Sequence, residues 1–122
     1  MHFSNKKIGI LGEELAQKYL VKLGYIILDK NYRCKTGEID IIGKDGECIS
    51  FIEVKTRRSN SYGSPGESVN YIKQHKIYKT AQMYILKKKL HKFNFRFDVI
   101  EVILKHGSND FSIKLLKDAF QL

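Results

Sequence analysis

Gly37-Glu38-Ile39-Asp40-Ile41-Ile42-Gly43, then Lys44-Asp45-Gly46-Glu47, then Cys48-Ile49-Ser50-Phe51-Ile52-Glu53-Val54-Lys55-Thr56-Arg57, is the stretch whose reading decides the fold. Two apolar runs flank an Asp-Gly pair, a strong short-range hairpin signal. The pattern predicts a strand over 38–43, a turn over 44–47 and a second strand over 48–57. Side chains on a strand alternate between faces. On the second strand Ile49, Phe51, Glu53, Lys55 and Arg57 share one face, and Ser50, Ile52 and Val54 the other. On the first, Glu38, Asp40 and Ile42 share a face, with Asp40 flanked by Ile39 and Ile41. Burying an ionised carboxylate without a partner costs on the order of several kcal/mol. Asp40 and Glu53 therefore need a positive charge, which a metal ion, a lysine or both can supply.

Working outward, Ser4 can cap a helix reaching about Leu23, with Gly24 as its stop. Ile8, Leu11, Leu15, Ala16, Tyr19 and Leu23 fall in one arc at helical spacing. Gly12 lies inside that arc, where it permits close approach to a sheet. Glu13 sits at the arc's edge, in reach of a site or of an ordinary boundary salt bridge, and Glu14 points to water. Residues 25–33 read as the first strand and Lys35-Thr36-Gly37 as the turn into the hairpin. Arg33 can meet an acid of the site, a phosphate or only solvent.

Downstream, residues 59–63 form a polar loop carrying Tyr62, and Ser64-Pro65-Gly66-Glu67 fits a capping box, with regular helix starting there or nearer Ser68. The helix runs to about Lys88, with Ile77, Tyr78, Ala81, Tyr84 and Ile85 as its apolar arc. Lys73, Lys76, Lys79 and Lys87 form a separate, outward basic arc. Gln74 falls in the apolar arc, either as a boundary residue or as support for a site. Residues 95–104 read as a fourth strand and 111–116 as a fifth, edge strand. Asp98 is expected as a structural partner of Arg96 or a helix lysine, or as a further ligand.

The length of 122 residues fits one domain, 1–122, with one core. No apolar run approaches the roughly 20 residues that span a bilayer, and Met1 to Lys7 has no apolar signal region. Cys34 and Cys48 lack ligand spacing, as do the four histidines, so a reduced, cytoplasmic protein is expected. Net charge is +9, and its distribution is informative. Between Val54 and Phe97 the only acid is Glu67, against eleven Lys and Arg. That asymmetry suits a phosphate-backbone binder, while a solvated helix face would show it too.

The ordered series is longer than the hairpin. It comprises Gly12-Glu13, Ala16, Tyr19-Leu20, Gly24-Tyr25, Asn31, Arg33, Gly37-Glu38-Ile39-Asp40, Phe51-Ile52-Glu53-Val54-Lys55, Gly63, Pro65, Glu67, Lys73 and Arg96-Phe97-Asp98-Val99. It resembles the YraN family of bacterial proteins, a branch of the restriction-endonuclease-like group with its Asp…Glu-x-Lys hairpin. The resemblance covers roughly residues 8–103 and implies an α/β fold with an αβββαβ core, a single mixed sheet flanked by helices. It implies Mg²⁺ or Mn²⁺ held by Asp40, Glu53 and the main-chain carbonyl of Val54, with Glu13 holding a second ion or its water. Lys55 would orient the attacking water or stabilise phosphate charge. Gln74, in Gln-x-x-x-Tyr with Tyr78, and Glu38 would support the site.

Hard oxygen ligands and a divalent ion suit phosphodiester hydrolysis. Arg33, Arg57, Arg58, Lys73 and Lys76 are the expected contacts to a nucleic acid, most simply DNA. The leading expectation is a metal-dependent endonuclease on structured or branched DNA with little sequence specificity. The branched substrate and a homodimer rest on likeness to archaeal Holliday junction resolvases alone. Two alternatives stand beside it: a non-catalytic nucleic-acid binder with a vestigial site, and a partner-binding accessory protein.

Overall fold

The computed structural model describes residues 5–58, 70–105 and 109–121. Helix α1 (Asn5–Lys22) is followed by β1 (Ile26–Cys34), β2 (Gly37–Asp45) and β3 (Cys48–Arg58). Helix α2 (Tyr71–Lys88), β4 (Asn94–Leu104) and β5 (Phe111–Phe120) complete the chain. The strands form one sheet in sequence order, β1 to β5. All neighbours are antiparallel except β3 and β4. A parallel pair needs a long crossover, and α2 lies within it. This is the mixed α/β sheet expected of an αβββαβ core.

The helices cover opposite faces. Ala16 and Leu20 of α1 pack with Tyr25, Ile41, Ile52, Ile100 and Val102. Ile77, Ala81 and Tyr84 of α2 pack with Ile39, Ile42, Ile49, Phe51, Phe97 and Val99. β3 follows its expected alternation, with Ile49 and Phe51 toward α2 and Ile52 and Val54 toward α1. β2 does not. Ile39 and Ile42 lie on the α2 side and Ile41 on the α1 side, so the alternation breaks at Asp40 and the shared face of Glu38, Asp40 and Ile42 is lost.

Two close approaches set the helices. A Cβ on Gly12 would lie 1.8 Å from Thr56 Oγ1, so only glycine lets α1 sit this near β3. On the other face Thr36 and Thr80 share a hydrogen bond of 2.8 Å, tying α2 to the β1–β2 turn. Within the described residues helix α2 starts at Tyr71. Asn70 is the cap, its side chain accepting the Lys73 N–H at 2.9 Å. The expected box at 64–67, Tyr62, and the Ser4 cap lie outside the described residues. β5 is longer than expected, running to Phe120. No helix among the described residues is long and apolar enough to cross a membrane.

One end of the sheet is clamped. Asp98 is 0 % exposed and accepts from Ser50 Oγ on β3, Arg96 Nε on its own strand at 2.9 Å and the Asp118 N–H on β5 at 2.8 Å. Arg96 also donates to Tyr25 Oη at 2.6 Å and Asp45 Oδ2 at 2.8 Å. Asp98 is thus the structural partner of Arg96.

Candidate functional site

The sheet forks opposite that clamp. β2 and β3 pair from Asp45↔Cys48 to Ile41↔Ile52 and then part. Beyond this point β2 stays with β1 and β3 stays with β4 as far as Arg58. At the same level β1 has an unusual backbone conformation. Asn31 has a left-handed φ of 50° and falls between the pairs Lys30↔Ile41 and Tyr32↔Ile39, opposite Asp40. Asparagine tolerates that conformation better than most residues. Asp40 turns into the fork, and its Oδ2 accepts the Val54 N–H at 2.8 Å. A carboxylate thereby takes a donor that a continuing β2 backbone would have used. In an antiparallel ladder a residue's N–H and C=O face the same edge, so the Val54 carbonyl faces the fork as well.

Other acids gather on Asp40. Glu53 is only 7 % exposed. Burial, then the negative charge of Glu53, push the Asp40 carboxyl up to about 7, with Glu13 adding and the Val54 N–H opposing. Glu13 is held above its usual value by burial and by the charges of Glu38 and Glu53. Its Oε1 is buried without a hydrogen-bond partner. Glu14, one residue on, is exposed. Glu13 and Asp40 line a cleft of about 440 Å³ with Val54, Thr56, Arg57 and Arg58.

A model of the uncharacterised protein family UPF0102 matches residues 12–102. The chain belongs to this family. UPF0102 is the YraN family of the sequence resemblance. The UPF0102 protein of Clostridium tetani is 66 % identical over 122 residues, covering all of both chains. Those of Clostridium kluyveri and Clostridium botulinum strain Kyoto are 62 % identical over 122 residues and 61 % over 123, again over all of both chains.

In this UPF0102 chain Glu53 is not unpartnered. Lys73, from the first turn of α2, places its Nζ on Glu53 Oε1. Burial pulls the Lys73 ammonium down, but the hydrogen bond and charge of Glu53 prevail and hold it above its usual value. Lys73 thus faces the site and not outward with Lys76 and Lys79. Lys55 shares the α2 face with Glu53, yet among the described residues it forms no ion pair. Glu53, Lys55, Lys73 and Glu101 line a second cleft, of about 350 Å³, on that face. Val54, Thr56 and Arg57 border both clefts, so the fork opens to both sides of the sheet.

The remaining expected residues of this UPF0102 chain lie farther out. Arg33 pairs across strands with Glu38, Nε to Oε1 at 3.3 Å, at an exposed position. Gln74 is half-buried on α2 and Lys76 is exposed, and neither lines either cleft. Sequence reasoning missed Glu101. It is 4 % exposed and its Oε1 has no partner. The signal was present: an acid inside Val99-Ile100-Glu101-Val102 is as anomalous as Glu53 in its own apolar run.

The UPF0102 donor set suits a hard divalent cation in kind. Carboxylates of Asp40, Glu53 and Glu13 and the Val54 carbonyl are oxygen ligands, and one or two carboxylates suffice for Mg²⁺. The buried, unpartnered Oε1 of Glu13 is the observation that favours a fit. As the side chains stand, no three Asp, Glu, His or Cys among the described residues converge on one point. Asp40 is turned to the Val54 N–H and Glu53 to Lys73. A cation at this site would meet a Glu53 that already carries Lys73 on its Oε1.

Proposed function

We propose that the protein is a metal-dependent nuclease that hydrolyses phosphodiester bonds, an endonuclease acting on structured or branched DNA with little sequence specificity. The observation that carries this reading is the Asp40 carboxylate, set beside Glu53 and Glu13 at a fork whose walls carry Arg57 and Arg58. Mutually repelling acids next to phosphate-binding cations are the arrangement that a divalent ion and a phosphodiester neutralise together. When bound, Mg²⁺ or Mn²⁺ supplies a nucleophile at neutral pH and relief of phosphate charge. Asp40, Glu53 and the Val54 carbonyl hold it, with Glu13 beside them. Lys55 donates to a phosphate oxygen or orients the attacking water. Arg57 and Arg58 grip flanking phosphates, which positions the strand without reading its bases. The branched substrate rests on family likeness only.

A second reading has its own support. Lys73 already neutralises Glu53, as it would in a DNA-binding protein whose site is structural.

Cleavage of labelled duplex, flap, four-way-junction and single-stranded DNA with Mg²⁺ or Mn²⁺ separates the two. Under the nuclease reading Glu53→Ala and Lys55→Ala each lower cleavage by about a hundredfold or more while DNA binding persists. Absent cleavage by wild type, with tight salt-sensitive binding, selects the second reading.

A further inference from the structure

We infer that Glu101 is the positioning residue for Lys55, its free carboxylate oxygen being the acceptor to which the Lys55 ammonium turns on the α2 side of the fork. The inference rests on the nuclease reading for its consequence, though not for its geometry. Lys55 and Glu101 are register partners across the parallel pair β3 and β4. The alternation of both strands puts them on one face, with Phe51 and Glu53 before Lys55, and Phe97 and Val99 before Glu101. Adjacent strands lie about 4.8 Å apart, so such neighbours meet readily. Both side chains line the 350 Å³ cleft.

Glu101 has an unmet need that Lys55 can meet. Its Oε1 is buried without a hydrogen bond, and a buried acceptor left in that state is destabilising. Two other lysines compete for the role. Lys73 is committed to Glu53. Lys114 on β5 is the register partner of Glu101 on its other side, but it is exposed and does not line the cleft. Lys55 is half-buried, lines the cleft and makes no ion pair among the described residues. With Lys55 drawn to Glu101, its ammonium stays near the fork without competing with Lys73 for Glu53. Exchange of Lys73 for a metal ion then leaves Lys55 in place to meet the substrate phosphate. The glutamate thus acts through the lysine and touches no reacting atom.

The test is the amine-labelling rate of each lysine, read by mass spectrometry on the metal-free full chain with limiting acylating reagent. Glu101→Gln is expected to raise the Lys55 rate by about tenfold, leaving Lys73 and Lys114 unchanged, with Glu101→Asp in between. An unchanged Lys55 rate, or a rise at Lys114 instead, overturns the inference. Should Glu101→Gln not fold, the Lys55 rate in Glu101→Asp against wild type decides it by the same criteria. A denaturation cycle of Lys55→Met with Glu101→Gln gives a second measurement, with a double variant less destabilised than the sum expected and strict additivity contrary. Because labelling needs neither metal nor turnover, it can fail while cleavage succeeds, and the reverse. Where cleavage is observed, Glu101→Gln should lower kcat while leaving the Kd for DNA unchanged.

Discussion

Lys73, not Lys55, is the cation bound to Glu53. The two lysines reach the same cleft from different elements, one from the first turn of α2 and one from β3 itself. The lysine two residues after the glutamate therefore stands outside that pair, while a lysine twenty positions on neutralises the acid.

Under the metal-dependent reading, the ion and Lys73 would compete for one carboxylate. Lys73→Met should tighten Mn²⁺ binding by about two- to fivefold, a modest effect because the lysine is half exposed and its pair is screened. Isothermal titration calorimetry of the variant beside wild type measures it. Weaker binding in the variant would mean that Lys73 supports the metal-bound form instead.

The Asp40 carboxyl makes a pH signature. Its folded value, about 7, lies above the ordinary 3.8 because of burial first and Glu53 second. The folded state therefore favours the protonated form. Its contribution to stability is full below about pH 4 and is lost as pH rises through about 7. The stability difference between wild type and Asp40→Asn should shift across that window in metal-free melts. Metal binding removes the proton, so Mn²⁺ affinity should climb by up to about tenfold per unit below pH 7 and flatten above it.

Gly12→Ala puts a Cβ 1.8 Å from Thr56 Oγ1 and 2.6 Å from its Cβ. Overpacking of this kind costs about 1–3 kcal/mol. Thr56→Ala, added to it, should recover part of the loss, and Thr56→Gly more. Chemical denaturation of the single and double variants gives the answer.

Asp98→Asn should destabilise the fold by about 3 kcal/mol, because Arg96 loses its buried counter-charge. Metal affinity at the fork should stay within about twofold, since sites without shared partners are near additive. This variant separates damage to the fold from damage to the site in calorimetry.

The logarithm of DNA affinity should fall linearly with log salt, and Arg57→Ala should reduce that slope by about one. Fluorescence anisotropy over a salt series measures the slope. An unchanged slope would remove Arg57 from the phosphate contacts.

Most of the architecture was legible because local signals agree. Asp45-Gly46 fixed the hairpin, period-two apolar runs fixed β3 and β4, and the arc of Ile77, Ala81 and Tyr84 fixed the buried face of α2. Gly12 was legible as a close approach for the same reason. What the sequence hid is pairing. The β2–β3 ladder ends at Ile41↔Ile52, and the neighbouring strand carries Asn31 opposite Asp40, a residue whose left-handed φ has no local turn signature. Strict alternation therefore misplaced Asp40. Lys73 was assigned outward because a helix wheel carries no information on which turn overhangs a sheet end. Glu101 escaped because its importance lies in register with Lys55, a partner 46 positions away (101 minus 55).

The fork can be regarded mechanically, as two tines joined at a rigid handle. Asp98 and Arg96 tie three strands and the hairpin turn together at the handle, so the tines cannot slide past one another. Between the tines runs the cross-link from Asp40 to the Val54 N–H. Helices α1 and α2, packed against strands of both tines, bridge the same gap from either face.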